Sequence, residues 1–141
     1  MDDTIETEIG ALLWALRDEA RDVPGLRARI ADVILRATPE LERRGTYWAK
    51  LGLVQACRAF YQNTRTSALA ASRDTWLSYC LLQLRDAFAP MGTYNEDYVP
   101  REPDIDRLPF AELGRLIRRE FQPLAVQMRL NRPLRPARPP R

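Results

Sequence analysis

Histidine does not occur in the 141 residues. Imidazole is the usual acid–base and metal-binding group near neutral pH. Its absence removes Ser-His-Asp and Cys-His nucleophilic arrangements, together with every histidine-containing metal site. Cysteine is scarce, with Cys57 and Cys80 alone, and two thiols without an imidazole do not complete an ordinary zinc site. Each falls on an apolar helical stripe, where free cysteine behaves as a small hydrophobe. In a reducing compartment two free thiols are expected, with a disulfide between neighbouring helices as the alternative.

Other absences narrow the reading further. No Gly-x-x-x-x-Gly-Lys loop and no Gly-x-Gly-x-x-Gly fingerprint is found, so the usual phosphate cradles are missing. One acidic pair, Glu19 and Asp22, has the Glu-x-x-Asp spacing of metal-dependent helical nucleotide hydrolases. It sits at a predicted helix end with no second pair facing it, and reads as a solvated face. The chain is expected not to be an enzyme and to use neither cofactor nor metal. No apolar run approaches the roughly 18 residues of a membrane span, and Met1-Asp2-Asp3 is acidic where a secretory signal is basic. A cytoplasmic protein without membrane contact is expected. Sustained strand alternation is missing as well.

What is present is helical periodicity. Ile5, Ile9, Leu12, Leu13, Leu16 and Ala20 make a one-sided stripe, predicting a helix from about Thr4 to Asp22, capped by Asp3 with Glu6 three residues on. Pro24 and Gly25 lead into a second helix bearing Leu26, Ile30, Val33, Ile34 and Ala37. Thr38-Pro39 reads as the cap and first position of a third helix, continuing to about Gln62 with a bend at Gly45. Its expected core face is Leu53, Val54, Cys57, Phe60 and Tyr61, and Gly52 marks close approach by another helix. A fourth helix, from Thr66 or Ser67 to about Ala89, carries the strongest stripe in Leu69, Trp76, Leu77, Cys80, Leu81, Leu84 and Phe88, and should be central. Residues 90–106 break the pattern with three prolines, Gly92, Tyr94, Tyr98 and five acidic residues; so long a loop is a surface connection or a functional segment. The last helix begins near Leu108-Pro109. Leu113, Leu116, Ile117, Phe121, Leu124 and Met128 keep one phase across Pro123, which predicts a kinked helix or two collinear ones, not a reversal. The expected fold is a single all-α bundle of five to six helices over residues 1–130, with a long acidic loop before the last helix. Residues 131–141 form an extended Arg-Pro tail.

Charge is distributed unevenly. Residues 1–40 carry nine acidic and five basic side chains, residues 41–106 eight of each, and residues 107–141 nine arginines against Glu112 and Glu120. Lys50 is the only lysine; 21 of the 22 basic residues are arginine. A GC-rich genome favours arginine codons, while arginine's planar fork also suits phosphate. Composition does not separate the two.

Three features suit binding. On the third helix, Arg44, Trp48, Leu51, Gln55, Arg58, Gln62 and Arg65 fall within roughly 100° on the side away from the core stripe. Lys50 lies nearby. Basic and amide groups interleaved with an aromatic suit a nucleic-acid backbone, with Trp48 stacking on a base; the alternative is that another helix covers Trp48 and Leu51 while the arginines pair with acids. Trp14, outside its stripe beside Arg17 and Arg21, fits a protein–protein anchor or burial by later segments. In the tail, proline at 133, 136 and 139 favours polyproline II. That geometry sets Arg132, Arg135, Arg138 and Arg141 along one edge, roughly 9 Å apart at ~3.1 Å per residue. Such an edge suits a phosphate chain or an acidic protein groove, and the proline face an aromatic groove; the alternative is a disordered solubility tail. Arg115, Arg118 and Arg119 extend the basic surface onto the last helix.

A small, basic, all-helical chain carrying Tyr47-Trp48-Ala49-Lys50 and Thr75-Trp76-Leu77-Ser78-Tyr79-Cys80 in long arginine-bearing helices resembles the small subunits of multi-subunit CRISPR effector complexes. The resemblance lies in size and architecture, without a diagnostic motif, and implies several copies stacked along backbone subunits with basic faces toward the nucleic acid. It carries over no residue. The leading expectation is a non-catalytic helical subunit of a nucleoprotein assembly, partnered by RNA or DNA and by other protein subunits, copies of itself included. The alternatives are a protein–protein adaptor using the Arg-Pro tail and Trp14, and a carboxylate-dependent, metal-using helical nucleotide hydrolase.

Overall fold

The computed structural model describes residues 3–18, 23–65, 70–88 and 101–137, with side chains over 5–17, 25–62, 76–88 and 101–126. All elements in it are helices: α1 (Asp3–Asp18), α2 (Val23–Arg44), α3 (Tyr47–Arg65), α4 (Ala70–Ala87), α5 (Pro103–Arg107) and α6 (Phe110–Ala137). The fold is the all-α bundle that the periodicity predicts. Among the described residues no helix is long and apolar enough to cross a membrane.

The stripes become the core. Ile5, Ile9, Leu12 and Leu16 of α1 meet Leu26, Ile30, Val33, Ile34, Ala37 and Leu41 of α2, with Leu77, Cys80, Leu81 and Leu84 of α4 and Leu53, Ala56 and Phe60 of α3. α4 packs most extensively on α3 and also touches α1 and α2, while α2 carries α6 on another side. Arg36 ties α1 to α2, donating to Glu8 at 2.6 Å and to Asp32 at 2.9 Å.

The second and third helices divide elsewhere than Thr38-Pro39 suggests. α2 runs straight through Pro39 to Arg44. Thr38 is fully buried, and its hydroxyl donates to the Ile34 carbonyl at 2.7 Å instead of capping a new helix. The break falls at Gly45, whose φ of 65° is the left-handed region that glycine enters without a Cβ clash. Its N–H donates to the Leu41 carbonyl at 3.1 Å. Thr46 then caps α3, its hydroxyl accepting from the Ala49 N–H at 3.1 Å.

Two other expectations change. Part of the acidic connection is helical: α5 has Pro103 in its first turn, followed by Asp104 and Asp106. Both suit a helix N-terminus. The tail is not extended through Ala137, because α6 passes Pro123, Pro133 and Pro136 as helix. A helix already packed grows residue by residue without a new nucleation cost, and proline's φ is compatible with it although one hydrogen bond is lost. α6 therefore continues across residue 130 to Ala137. Residues 19–22, 66–69, 89–100 and 138–141, which include Arg21, Tyr94, Tyr98 and Arg138, lie outside the described residues.

Candidate nucleic-acid interface

The basic–aromatic face predicted on α3 is taken up by the protein itself. Trp48 is 8% exposed and Tyr47 6%. Their rings meet edge to face at 5.1 Å, and Ile105 of α5 closes a small cluster over them, flanked by Leu51 and Val54. The N–H of Glu102 donates to the Tyr47 hydroxyl at 2.8 Å, and the Arg101 guanidinium lies 5.0 Å from the Tyr47 ring. Trp48 is thus covered by α5 and does not present a stacking surface, as the covering alternative had it.

Lys50 is likewise internal. Its ammonium donates to the carbonyls of Asp106 at 3.1 Å and Leu108 at 2.7 Å, satisfying acceptors at the end of α5, where a cation also suits the helix dipole. Lys50→Met removes both donors while keeping the stem's bulk. Charged hydrogen bonds are worth about 1.5–3 kcal/mol each, so α5 should loosen selectively. Hydrogen exchange reads this out: the amides of Asp106 and Leu108 should exchange faster, with those of α1, α2 and α4 unaffected. Equal protection in wild type and variant would show that Lys50 does not hold α5.

Arg44, exposed at the end of α2, reaches to the end of α4. Its Nη1 donates to the Phe88 carbonyl at 2.9 Å, with the guanidinium 5.2 Å from the Phe88 ring, so it caps the C-terminal end of α4. Of the α3 face, Arg58 stays exposed, 3.7 Å from a Glu102 carboxylate oxygen. The side chain of Arg65 lies outside those described, as do those of Arg132 and Arg135 on α6. The structure therefore does not gather the α3 residues into one open surface.

On α6 the arrangement differs. Leu113, Ile117, Phe121 and Ala125 are buried, whereas Ala111, Arg115, Arg118, Arg119, Gln122 and Val126 form an exposed stripe at helical spacing. Arg115 pairs with Glu112, and Arg119 lies 3.6 Å from Glu120. Glu120 is itself exposed, and Glu112 lies one turn before Arg115 at the edge of the stripe. Compared with known proteins, the chain matches no family model, no curated protein and no solved structure. The site accordingly rests on its own geometry.

Trp14 is 59% exposed on α1, with the Arg17 guanidinium 4.9 Å from its ring, an open aromatic–cation pair. The thiols are set against nucleophilic use: burial pushes Cys57 up to about 12, and burial, with Cys57 beside it, holds Cys80 well above its usual range. Both remain thiols near neutral pH. Arg27 lies against the Phe60 ring at 4.2 Å, and burial lowers its pKa against the opposing effect of Cys80. Among the described residues no three histidine, cysteine, aspartate or glutamate side chains gather as metal ligands.

Sequence reasoning assigns Tyr61 to the core face of α3, yet it is 42% exposed. Its neighbour Phe60 takes the core position, and Tyr61 falls at the rim where α3 meets α6. The available signal is its phenol, since a tyrosine at the edge of an apolar stripe often keeps its hydroxyl at the surface.

Proposed function

We propose that this chain is a non-catalytic helical subunit of a nucleoprotein assembly, contacting the phosphate backbone of RNA or DNA through the exposed stripe of α6. The observation that carries the reading is that the exposed side of α6 bears Arg115, Arg118 and Arg119, with Glu112 and Glu120 beside them in exposed pairs. Arg115 and Arg119 stand one turn apart, roughly 6 Å along the axis, with Arg118 between them. Their ion pairs are solvent-exposed, and pairs of that kind contribute about 0–1 kcal/mol, so a phosphate displaces the carboxylates at little cost. The same helix holds Arg129, Arg132 and Arg135 in sequence before Ala137. A multi-subunit effector complex of the CRISPR type is the proposed setting, supported by size, helical architecture and basic charge.

The test is affinity for a labelled single-stranded oligonucleotide. Each phosphate neutralised on a single strand contributes about 0.7 to the log–log salt slope, so at 0.1 M salt three lost contacts amount to about a hundredfold. The triple variant Arg115→Ala, Arg118→Ala, Arg119→Ala should weaken binding by that order, whereas Lys50→Met should bind like wild type. Equal affinity of triple variant and wild type would remove α6 from the interface. The open Trp14–Arg17 pair supports a second contact, to a partner protein. It lies on a different helix and does not compete with the α6 reading.

A further inference from the structure

We infer that Tyr61 is a stacking platform for an unpaired nucleobase, placed at the rim where α3 meets α6 beside the arginine stripe. The inference rests on the α6 reading and adds to it a preference for single strands over duplex.

The ring is presented and held at once. Tyr61 is 42% exposed, while the two rings behind it, Phe60 and Phe121, are each 1% exposed. Tyr61 and Phe121 lie with centroids 5.8 Å apart and planes 30° from parallel, and Phe60 meets Tyr61 edge to face at 6.3 Å. Its hydroxyl donates to Glu120 at 3.3 Å, and the other oxygen of that carboxylate lies 3.6 Å from Arg119. One ring is therefore fixed from below and from its tip, so little freedom is lost when a base lands on it. Cations stand on both sides. Arg119 follows through Glu120, and Arg58, three residues before Tyr61 on α3, is its neighbour on the helix surface. Arg58 is shared with Glu102. The two carboxylates, Glu102 and Glu120, face the arginines in exposed pairs that a phosphate displaces.

Elsewhere on the described surface the aromatics are arranged otherwise. Trp48 is covered, and Trp14 stands on α1 beside Arg17, away from the α6 stripe. Tyr79, as exposed as Tyr61, meets Trp76 edge to face on α4, whereas Tyr61 contacts Phe121 and Glu120 of α6. A base on Tyr61 with its phosphates toward Arg119 and Arg115 matches the pairing of stacking surface and cationic track that single-strand binders use. A duplex keeps its bases stacked internally and offers the ring nothing.

The experiment compares a labelled oligothymidine with a blunt duplex of the same length, for wild type, Tyr61→Leu, Tyr61→Phe and the triple arginine variant. Leucine keeps apolar packing on Phe121 without a planar face, and thermal melts establish that each variant folds. Stacking on one ring corresponds to roughly a 5- to 100-fold affinity effect. Tyr61→Leu should lose that factor on the single strand and less than about twofold on the duplex, with Tyr61→Phe close to wild type. If Tyr61→Leu binds the single strand as wild type does while the triple variant is weakened, the platform is wrong and the α6 reading stands. If Tyr61→Phe loses as much as Tyr61→Leu, the hydroxyl and not the ring is responsible, and stacking is again wrong. If wild type binds neither probe, both fall together.

Discussion

Replacing Gly52 by leucine is expected to leave no cooperatively folded protein. α3 and α4 form the most extensive helix pair among the described residues, and at Gly52 the backbone of α4 comes close. A Cβ at position 52 would lie 2.5 Å from the Ala87 Cβ, 2.9 Å from its Cα and 3.1 Å from the Gln83 carbonyl oxygen. Two of those three atoms are backbone, so no side-chain rotation relieves the clash. The helices must separate, and with them the contacts of Leu53, Ala56 and Phe60 with Leu77, Cys80, Leu81 and Leu84. Alanine at this site gains up to about 1 kcal/mol of helix propensity but already carries the clashing Cβ, whose overpacking costs about 1–3 kcal/mol or more, so it should destabilise measurably. Leucine adds three further carbons to the same gap. Against a total stability of about 5–15 kcal/mol for a domain, that suffices to lose the fold. Denaturant melts followed by near-UV circular dichroism decide it; a leucine variant with the wild-type midpoint would contradict the described α3–α4 packing.

Phe121→Ala is the second large effect. Phe121 is 1% exposed and meets Phe60 edge to face at 4.9 Å, and these rings join α6 to α3. Truncating a buried phenylalanine costs about 3–5 kcal/mol in lost transfer energy and cavity. Tyr61 does not fill the space, because its hydroxyl is anchored outward on Glu120. The expected result is a fall of that size in unfolding free energy, with Phe121→Leu losing less than half as much. A loss below about 1 kcal/mol for the alanine variant would mean that α6 is held by α2 and owes nothing to these rings.

The helices are legible because their apolar positions keep phase, and the phase holds even where a local signal points elsewhere. Leu41 continues the sequence 26, 30, 33, 34, 37 across Pro39, which marks α2 as unbroken. Thr38-Pro39 resembles a helix start so closely that the local signal masks the periodic one. Gly45 reads as a bend from sequence, but its left-handed φ followed by the capping Thr46 makes it the boundary. Gly52 is legible as a close approach, because a glycine inside an apolar helical stripe gives up helix propensity and returns only space.

The surface is harder to read. A helical wheel reports which side of a helix faces away from its own stripe, not whether something else lies there. α5 has one buried side chain, Ile105, and a single apolar residue produces no periodicity. Nothing in the local sequence therefore announces the element that covers Trp48 and engages Lys50. The same geometry works in favour of α6, whose stripe of Arg115, Arg118 and Arg119 falls on the exposed side as the wheel has it, because no described element packs over it. Tyr61 departs in the opposite direction: one residue beyond Phe60 at the stripe's edge, it counts as inward on the wheel, although its phenol and the neighbouring Glu120 draw it to the rim.

The salt dependence of single-strand affinity tests the central claim most directly, because it counts phosphate contacts instead of inferring them from a loss of binding. For wild type, log K should fall linearly with log salt, and removing Arg115, Arg118 and Arg119 together should make the slope shallower by about 2, at ~0.7 per contact. Parallel lines for wild type and the triple variant, or a wild-type affinity indifferent to salt, would show that these guanidinium groups do not meet a phosphate backbone.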